Sequence, residues 1–385
     1  MKKIQMVDLL GQYEMIREEI DKAITNVLRS SAYIRGPEVK AFQSELEQYL
    51  GVKHVIPCGN GTDALQIALM SLDLEHGDEV ITTSFTFIAT AEVIALLGLK
   101  PVFVDISADT FNIDASAIEK AITNKTKAIL PVHLYGQCTD MESILAIAEK
   151  HNLYVIEDTA QALGAEYKFN DGTVKKSGTM GTIGCTSFFP SKNLGCYGDG
   201  GAIFTNNDQL AEKLKMIANH GQRVRYYHDI IGVNSRLDSI QAAVLRVKLK
   251  HLDDYAKARN QAAQYYDKAF GETDGLTVPF RSPKSTHVFH QYTLKTNGID
   301  RDGLQDYLKS KEIPAMIYYP VPLHLQKAFN QTGASASRLT TSDSSEKLPI
   351  TEQLSKSVIS LPIHTEMDEE QLEYITNSVL EYVKN

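Results

Sequence analysis

Along residues 13–28 the apolar positions Ile16, Ile20, Ala23, Ile24, Val27 and Leu28 recur at helical spacing, with Glu18, Glu19 and Asp21 between them. That pattern predicts an amphipathic helix. Gly36-Pro37 opens a second one, because proline fits the first turn of a helix, and it places Val39, Phe42 and Leu46 on the inner face. The pattern then changes to short apolar runs at 54–58, 79–82, 101–105, 128–133 and 153–157, separated by helical stretches such as 64–72 and 141–150. Short runs of this kind read as buried strands. Their alternation with helices predicts an α/β domain with a largely parallel sheet, whose ligands bind off the carboxyl ends of the strands.

The alternation stops along 239–258, a long helical stretch carrying Ile240, Ala243, Val244, Val247, Leu249 and Leu252. A boundary is expected there, between a large domain over 1–250 and a smaller α+β domain over 251–385. In the latter, 286–294 and 314–318 read as strands and 302–311 as a helix. Residues 331–345, rich in Ser, Thr, Gly and Ala, are expected to form a mobile loop.

Composition narrows the partners. The 385 residues are 43% hydrophobic and 23% charged, which suits a globular protein with a large core. With 48 acidic against 39 basic residues and a formal net charge of -9, nucleic acid and anionic membrane are not expected partners. The start reaches Asp8 before a signal-like apolar core forms, and no apolar run is long enough to span a bilayer, so a cytosolic protein is expected. Cys58, Cys138, Cys185 and Cys196 lack C-x-x-C spacing, which fits reduced thiols rather than a metal site.

The candidate chemistry collects at strand ends. Lys192 lies in a predicted tight turn between the apolar run 181–189 and the strand 202–205. In a partly dry site a lysine loses its proton more readily, and the free amine can condense with a carbonyl. Asp158 follows the strand 153–157. The turn Gly59-Asn60-Gly61-Thr62 leads from a strand into a helix, where exposed N–H groups and a positive helix end suit a phosphate. It matches neither the P-loop nor G-x-G-x-x-G. Phe87, after another strand, offers a flat ring. Singly, these residues read as a loop lysine, a helix-capping acid, an N-cap turn and a core phenylalanine. Together they supply an amine, a carboxylate, a phosphate cradle and an aromatic face, the parts that hold pyridoxal 5'-phosphate.

In combination, Gly59-Asn60-Gly61-Thr62-Asp63-Ala64-Leu65, Ser84-Phe85-Thr86-Phe87, Glu157-Asp158-Thr159-Ala160-Gln161, Ser187-Phe188-Phe189-Pro190-Ser191-Lys192, Gly198-Asp199-Gly200-Gly201 and Gly232-Val233-Asn234-Ser235-Arg236-Leu237-Asp238 resemble the sugar aminotransferases of the DegT/StrS family over nearly the whole chain. The resemblance implies the aspartate aminotransferase (type I) fold. It implies that Lys192 binds the cofactor covalently, that Asp158 pairs with the pyridine nitrogen, and that Gln161 contacts the ring hydroxyl. Phe87 would stack on the ring, and Gly61, Thr62 and Ser187 would hold the phosphate. Asn234 would complete the phosphate site of a neighbouring subunit, making a homodimer the working unit.

The implied reaction moves an amino group from L-glutamate, through pyridoxamine phosphate, to C3 of a 3-keto nucleotide sugar. Enzymes acting on UDP-2-acetamido-2-deoxy-3-oxo-glucuronate in surface polysaccharide (O-antigen type) biosynthesis are the most similar. Arg236, two residues from Asn234, is the candidate cation for the uronate, with Tyr318, Tyr319 and His324 for the sugar or diphosphate. The run Tyr318-Tyr319-Pro320-Val321-Pro322 is also close to enzymes for dTDP-3-keto-6-deoxyhexoses. A 4-keto sugar, or a non-catalytic sensing role, are the remaining alternatives.

Overall fold

The computed structural model describes residues 2–329 and 347–384. In chain order, helices α1 (Leu9–Met15), α2 (Arg17–Ser30) and α3 (Pro37–Leu50) precede β1 (His54–Cys58), α4 (Gly61–Met70), β2 (Glu79–Thr83), α5 (Ala89–Leu96) and β3 (Lys100–Val104). Then come α6 (Ala115–Ala121), β4 (Thr126–Leu130), α7 (Met141–His151), β5 (Tyr154–Asp158), the small hairpin β6 (Glu166–Lys168) and β7 (Val174–Lys176), β8 (Ile183–Ser187) and β9 (Gly201–Thr205). After α8 (Asp208–Ile217) and the hairpin β10 (Gln222–Val224) and β11 (Tyr227–His228) follow α9 (Ser239–Leu249) and α10 (Leu252–Phe270). The chain continues with β12 (Leu276–Thr277), β13 (Tyr292–Thr296), α11 (Arg301–Ser310), α12 (Pro349–Ser357), β14 (Val358–Leu361) and α13 (Glu369–Lys384).

Seven strands form the central sheet in the order β1-β9-β8-β5-β4-β2-β3. β9 runs antiparallel to β1 and β8, and the pairs from β8 to β3 are parallel. Successive side chains alternate between the faces. Val80, Leu130 and Ile156 pack with α4, α5 and α8, whereas Ile81, Ile129 and Val155 pack with α6 and α7. Burial on both faces explains the continuous apolar runs. Because every strand but β9 points the same way, β1, β2, β4, β5 and β8 all end on one edge, and the loops that follow them converge there.

A second core joins α10, α11, α13, β13 and β14, and Ile4 packs into it from the other end of the chain. All four cysteines are buried and free. Among the described residues no helix is long and apolar enough to cross a membrane.

The structure corrects several local expectations. The helical stretch 239–258 is two helices, broken at Lys250-His251. The stretch 286–294 becomes regular strand only at Tyr292. Before it, Phe289 takes a left-handed φ of 44°, which interrupts the pleat. Residues 314–318 make a single bridge, Met316 with Ser360, instead of a strand. The helix expected over 64–72 starts earlier, because Asn60 Oδ1 accepts the Asp63 N–H at 2.8 Å and caps α4. The expected loop 331–345 lies outside the described residues.

Candidate active site

The converging loops enclose a cavity of about 660 Å³, lined among others by Gly61, Thr62, Phe87, Asp158, Gln161, Ser187, Lys192, Tyr318 and Tyr319. Each belongs to an element that fixes its direction. Asp158 is the last residue of β5 and Ser187 of β8, while Gly61 and Thr62 open α4. Lys192 lies on the connection from β8 to β9, which is longer than the tight turn expected. Phe188 N–H donates to Gly200 O at 2.7 Å, Cys196 N–H to Phe188 O at 2.8 Å, and Lys192 N–H to Phe189 O at 2.8 Å.

Two adjacent acids end β5, and their surroundings separate them. Glu157 is fully buried and saturated: it accepts from His133 Nε2 at 2.9 Å and from the N–H groups of Gly178, Met180 and Gly181 at 2.8, 2.7 and 2.6 Å. His133 Nδ1 accepts the Thr139 N–H at 3.1 Å, which leaves the proton on Nε2 for Glu157. Glu157 thus closes off the end of its own strand. Asp158 accepts from Thr90 Oγ1 at 3.0 Å and from Ala160 N–H at 3.1 Å. Burial raises its pKa in spite of those bonds and of the positive charge on Lys192. A buried carboxylate that its own chain leaves undercompensated, on a cavity wall, fits a cationic ligand group.

Lys192 is perturbed in the opposite sense. Burial pulls its pKa down to about 8, against the opposing pull of Asp158. Far more free amine is therefore present near neutral pH than on an exposed lysine, and that is the form that attacks a carbonyl. In the phosphate turn, Asn60 takes the Asp63 N–H, and among the described residues the N–H groups of Gly61 and Thr62 are left to an incoming anion. A Cβ on Gly61 would sit 2.6 Å from Ser187 Cβ, so glycine is required by close approach. Gly61→Ala is expected to weaken pyridoxal phosphate binding by at least about tenfold while leaving the sheet intact, as measured by titrating apoprotein with cofactor.

Gln161 is held at both ends. Its Oε1 accepts the Tyr135 N–H at 2.8 Å, and its Nε2 donates to Tyr319 Oη at 3.0 Å. Tyr135 Oη bonds the Tyr318 carbonyl, so the two tyrosines of the Pro-x-Pro run are tied to the cavity wall. Phe87 is 57% exposed in the single chain, its ring open to the cavity.

Three expected site residues do not line this cavity. His324 Nδ1 lies 2.7 Å from Ser84 Oγ, which also accepts the His324 N–H at 3.0 Å. His324 Nε2 stands 3.5 Å from Glu352. His324 braces the loop that bears Phe87. Asn234 is exposed, and between it and Arg236 the buried Ser235 accepts the Gly59 N–H at 2.8 Å and donates to Asp63 at 2.6 Å. The segment is thus fastened behind its own phosphate turn, with Asn234 directed outward. Arg236 lies 3.4 Å from His220 Nε2 and makes no ion pair with Asp238 or any other described acid. Partial burial and, after it, the Arg236 charge lower the pKa of Arg35.

The sequence reading missed Thr90, Tyr135, His290 and Gln291. The latter two line the cavity, and their signal was the polar pair interrupting the apolar stretch 286–294.

A doubly covered sheet, a depressed lysine, an undercompensated carboxylate and a helix end around one cavity define a protein built to hold pyridoxal phosphate and do amine chemistry with it. The chain belongs to the DegT/DnrJ/EryC1/StrS aminotransferase family, whose profile matches residues 14–380. This is a family of pyridoxal-phosphate-dependent sugar aminotransferases. The chain is 47% identical over 384 residues to a pleiotropic regulatory protein of Geobacillus stearothermophilus, covering 99% of both chains. It is 45% identical over 372 residues to the UDP-2-acetamido-2-deoxy-3-oxo-D-glucuronate aminotransferase of Pseudomonas aeruginosa, covering 97% and 98%. A dTDP-3-amino-3,6-dideoxy-alpha-D-galactopyranose transaminase of Aneurinibacillus thermoaerophilus is 41% identical over 379 residues, covering 98% and 99%. The structure of Streptomyces venezuelae DesV in complex with a ketimine intermediate superimposes with a TM-score of 0.92 at 38% identity over 100% of both chains. A Bacillus subtilis protein with bound PMP gives a TM-score of 0.90 at 32% identity, over 100% of this chain and 86% of that one.

Proposed function

We propose that this enzyme moves an amino group from L-glutamate to C3 of a 3-keto nucleotide sugar, UDP-2-acetamido-2-deoxy-3-oxo-glucuronate, in surface polysaccharide synthesis. The observation that carries the uronate is Arg236, which has no acidic partner among the described residues and an enclosed, unbonded Nε, in a segment that faces away from its own cavity. In a homodimer such a segment supplies Asn234 to the partner's phosphate site and Arg236 to the partner's sugar. Burying a carboxylate without a cation costs several kcal/mol, so the arginine would serve specificity as well as affinity. The dTDP-sugar relative and the Tyr318-Tyr319 run support the second reading, a 3-keto-6-deoxy sugar. The Geobacillus relative is called a regulatory protein, but the intact Lys192 and Asp158 favour turnover.

Bound pyridoxal phosphate supplies an electron sink for the carbon that gains or loses the amine. The chain's residues do the rest. Lys192 holds the cofactor and then moves a proton at the reacting carbon; Asp158 keeps a proton on the ring nitrogen; the Gly61-Thr62 turn and Ser187 fix the phosphate.

Purified protein offered glutamate with 3-keto and 4-keto UDP- and dTDP-sugars, with products read by mass spectrometry, tests position and nucleotide. Arg236→Leu is expected to lose the uronate reaction by roughly a hundredfold while sparing a 6-deoxy counterpart. Equal losses on both, or a wild type preferring the neutral sugar, rule out the uronate. For the shared site, mixed Lys192→Ala and Asn234→Ala chains are expected to recover part of the activity that each lacks, since a heterodimer collects both lesions in one site. Heterodimers seen by mass but inactive would show that Asn234 serves its own chain.

A further inference from the structure

His290 and Gln291 have no part in the reading above. They are 7% and 9% exposed, both line the cavity of Lys192, and His290 Nδ1 and Gln291 Oε1 are enclosed without a hydrogen-bond partner among the described residues. Buried polar atoms in folded proteins are paired almost throughout, so two orphans on adjacent residues of a site wall call for a ligand.

The segment that carries them is firmly held. Arg259, buried on α10, donates through Nη1 to the carbonyls of Phe289, His290 and Ile363 at 3.1, 3.4 and 2.8 Å. Gln291 N–H reaches Tyr135 O at 3.3 Å. Gly136 approaches so closely that a Cβ there would meet Phe289 N at 2.9 Å and His290 N at 3.0 Å. Backbone fixed from three directions preorganises the side chains it carries.

Chemistry selects what they bind. Burial, then the charges of Lys192 and Arg259, push the His290 pKa well below its ordinary value, so the ring is neutral. The Gln291 oxygen can only accept. A carboxylate brings it no proton, whereas a hydroxyl donates to the amide oxygen and can either donate to or accept from the imidazole nitrogen. We propose that His290 and Gln291 bind a ring hydroxyl of the amino-accepting sugar, and leave the amino donor's carboxylates to other groups. This rests on the sugar aminotransferase reading.

The test separates the two half-reactions of the holoenzyme. Glutamate bleaches the visible cofactor band, and the keto sugar restores it. His290→Phe and Gln291→Leu are expected to raise the sugar's apparent KM roughly tenfold, with the glutamate half-reaction within about twofold of wild type and His290→Asn recovering part of the loss. On the 4-deoxy analogue, which lacks the one free ring hydroxyl of the proposed substrate, the penalty should vanish. Equal losses in both half-reactions, unchanged sugar kinetics, or a penalty that persists on the 4-deoxy analogue would each overturn the assignment of His290 and Gln291 alone. A wild type that reacts with glutamate and refuses every keto sugar would overturn the parent reading with it.

Discussion

Lys192→Ala is expected to abolish the visible band of the cofactor-loaded enzyme and to lower transamination by roughly five orders of magnitude or more. Alanine leaves the fold in place, because the connection from β8 to β9 is held by backbone bonds through Phe188, Phe189 and Cys196, none of which uses the lysine side chain. What disappears is the amine. In wild type the pKa of that amine is lowered to about 8, burial outweighing the attraction of Asp158. Its free fraction therefore rises with pH through about 8 and then saturates, so the rate at which apoprotein captures pyridoxal phosphate should climb to about pH 8 and level off. An exposed lysine would keep gaining to about pH 10. Stopped-flow capture rates across that range check the shift, and retention of the band by Lys192→Ala would remove the lysine from the centre of the site.

The sheet was legible because its strands are buried on both faces, and continuous apolar runs bounded by turns carry that information locally. Lys192, Asp158, Gly61 and Phe87 could be placed at the sheet edge for the same reason: each follows such a run, and parallel strands deliver their ends together. What local pattern could not supply was long-range. Phe289 leaves the strand conformation in a segment held by Arg259, a residue 30 positions away, donating to its carbonyl. Residues 314–318 look like a strand, yet they meet β14 through one bridge. The outward direction of Asn234 follows from Ser235 being anchored to Gly59 and Asp63, contacts that span more than a hundred residues. His324 followed the site motif in sequence, but its ring is taken up by Ser84.

Asp158→Asn is expected to bind cofactor and yet lose turnover by roughly three to four orders of magnitude. Asparagine is isosteric, and its side-chain oxygen can still accept from Thr90 Oγ1 or Ala160 N–H, the bonds that orient the carboxylate. It cannot supply the anion proposed to keep the pyridine nitrogen protonated, and without that proton the ring withdraws electrons poorly when the substrate carbon gives up its own. The neighbouring acid is no substitute. Glu157 already accepts three backbone N–H groups and the His133 Nε2 proton, and turning it into the cavity would leave all four donors buried and unpaired. A second consequence distinguishes loss of charge from loss of shape. Asp158 raises the Lys192 pKa, so removing its charge should move the capture profile to lower pH than about 8, toward the value set by burial alone. Asp158→Asn with near-native turnover, or with an unmoved profile, would mean that another acid faces the ring nitrogen.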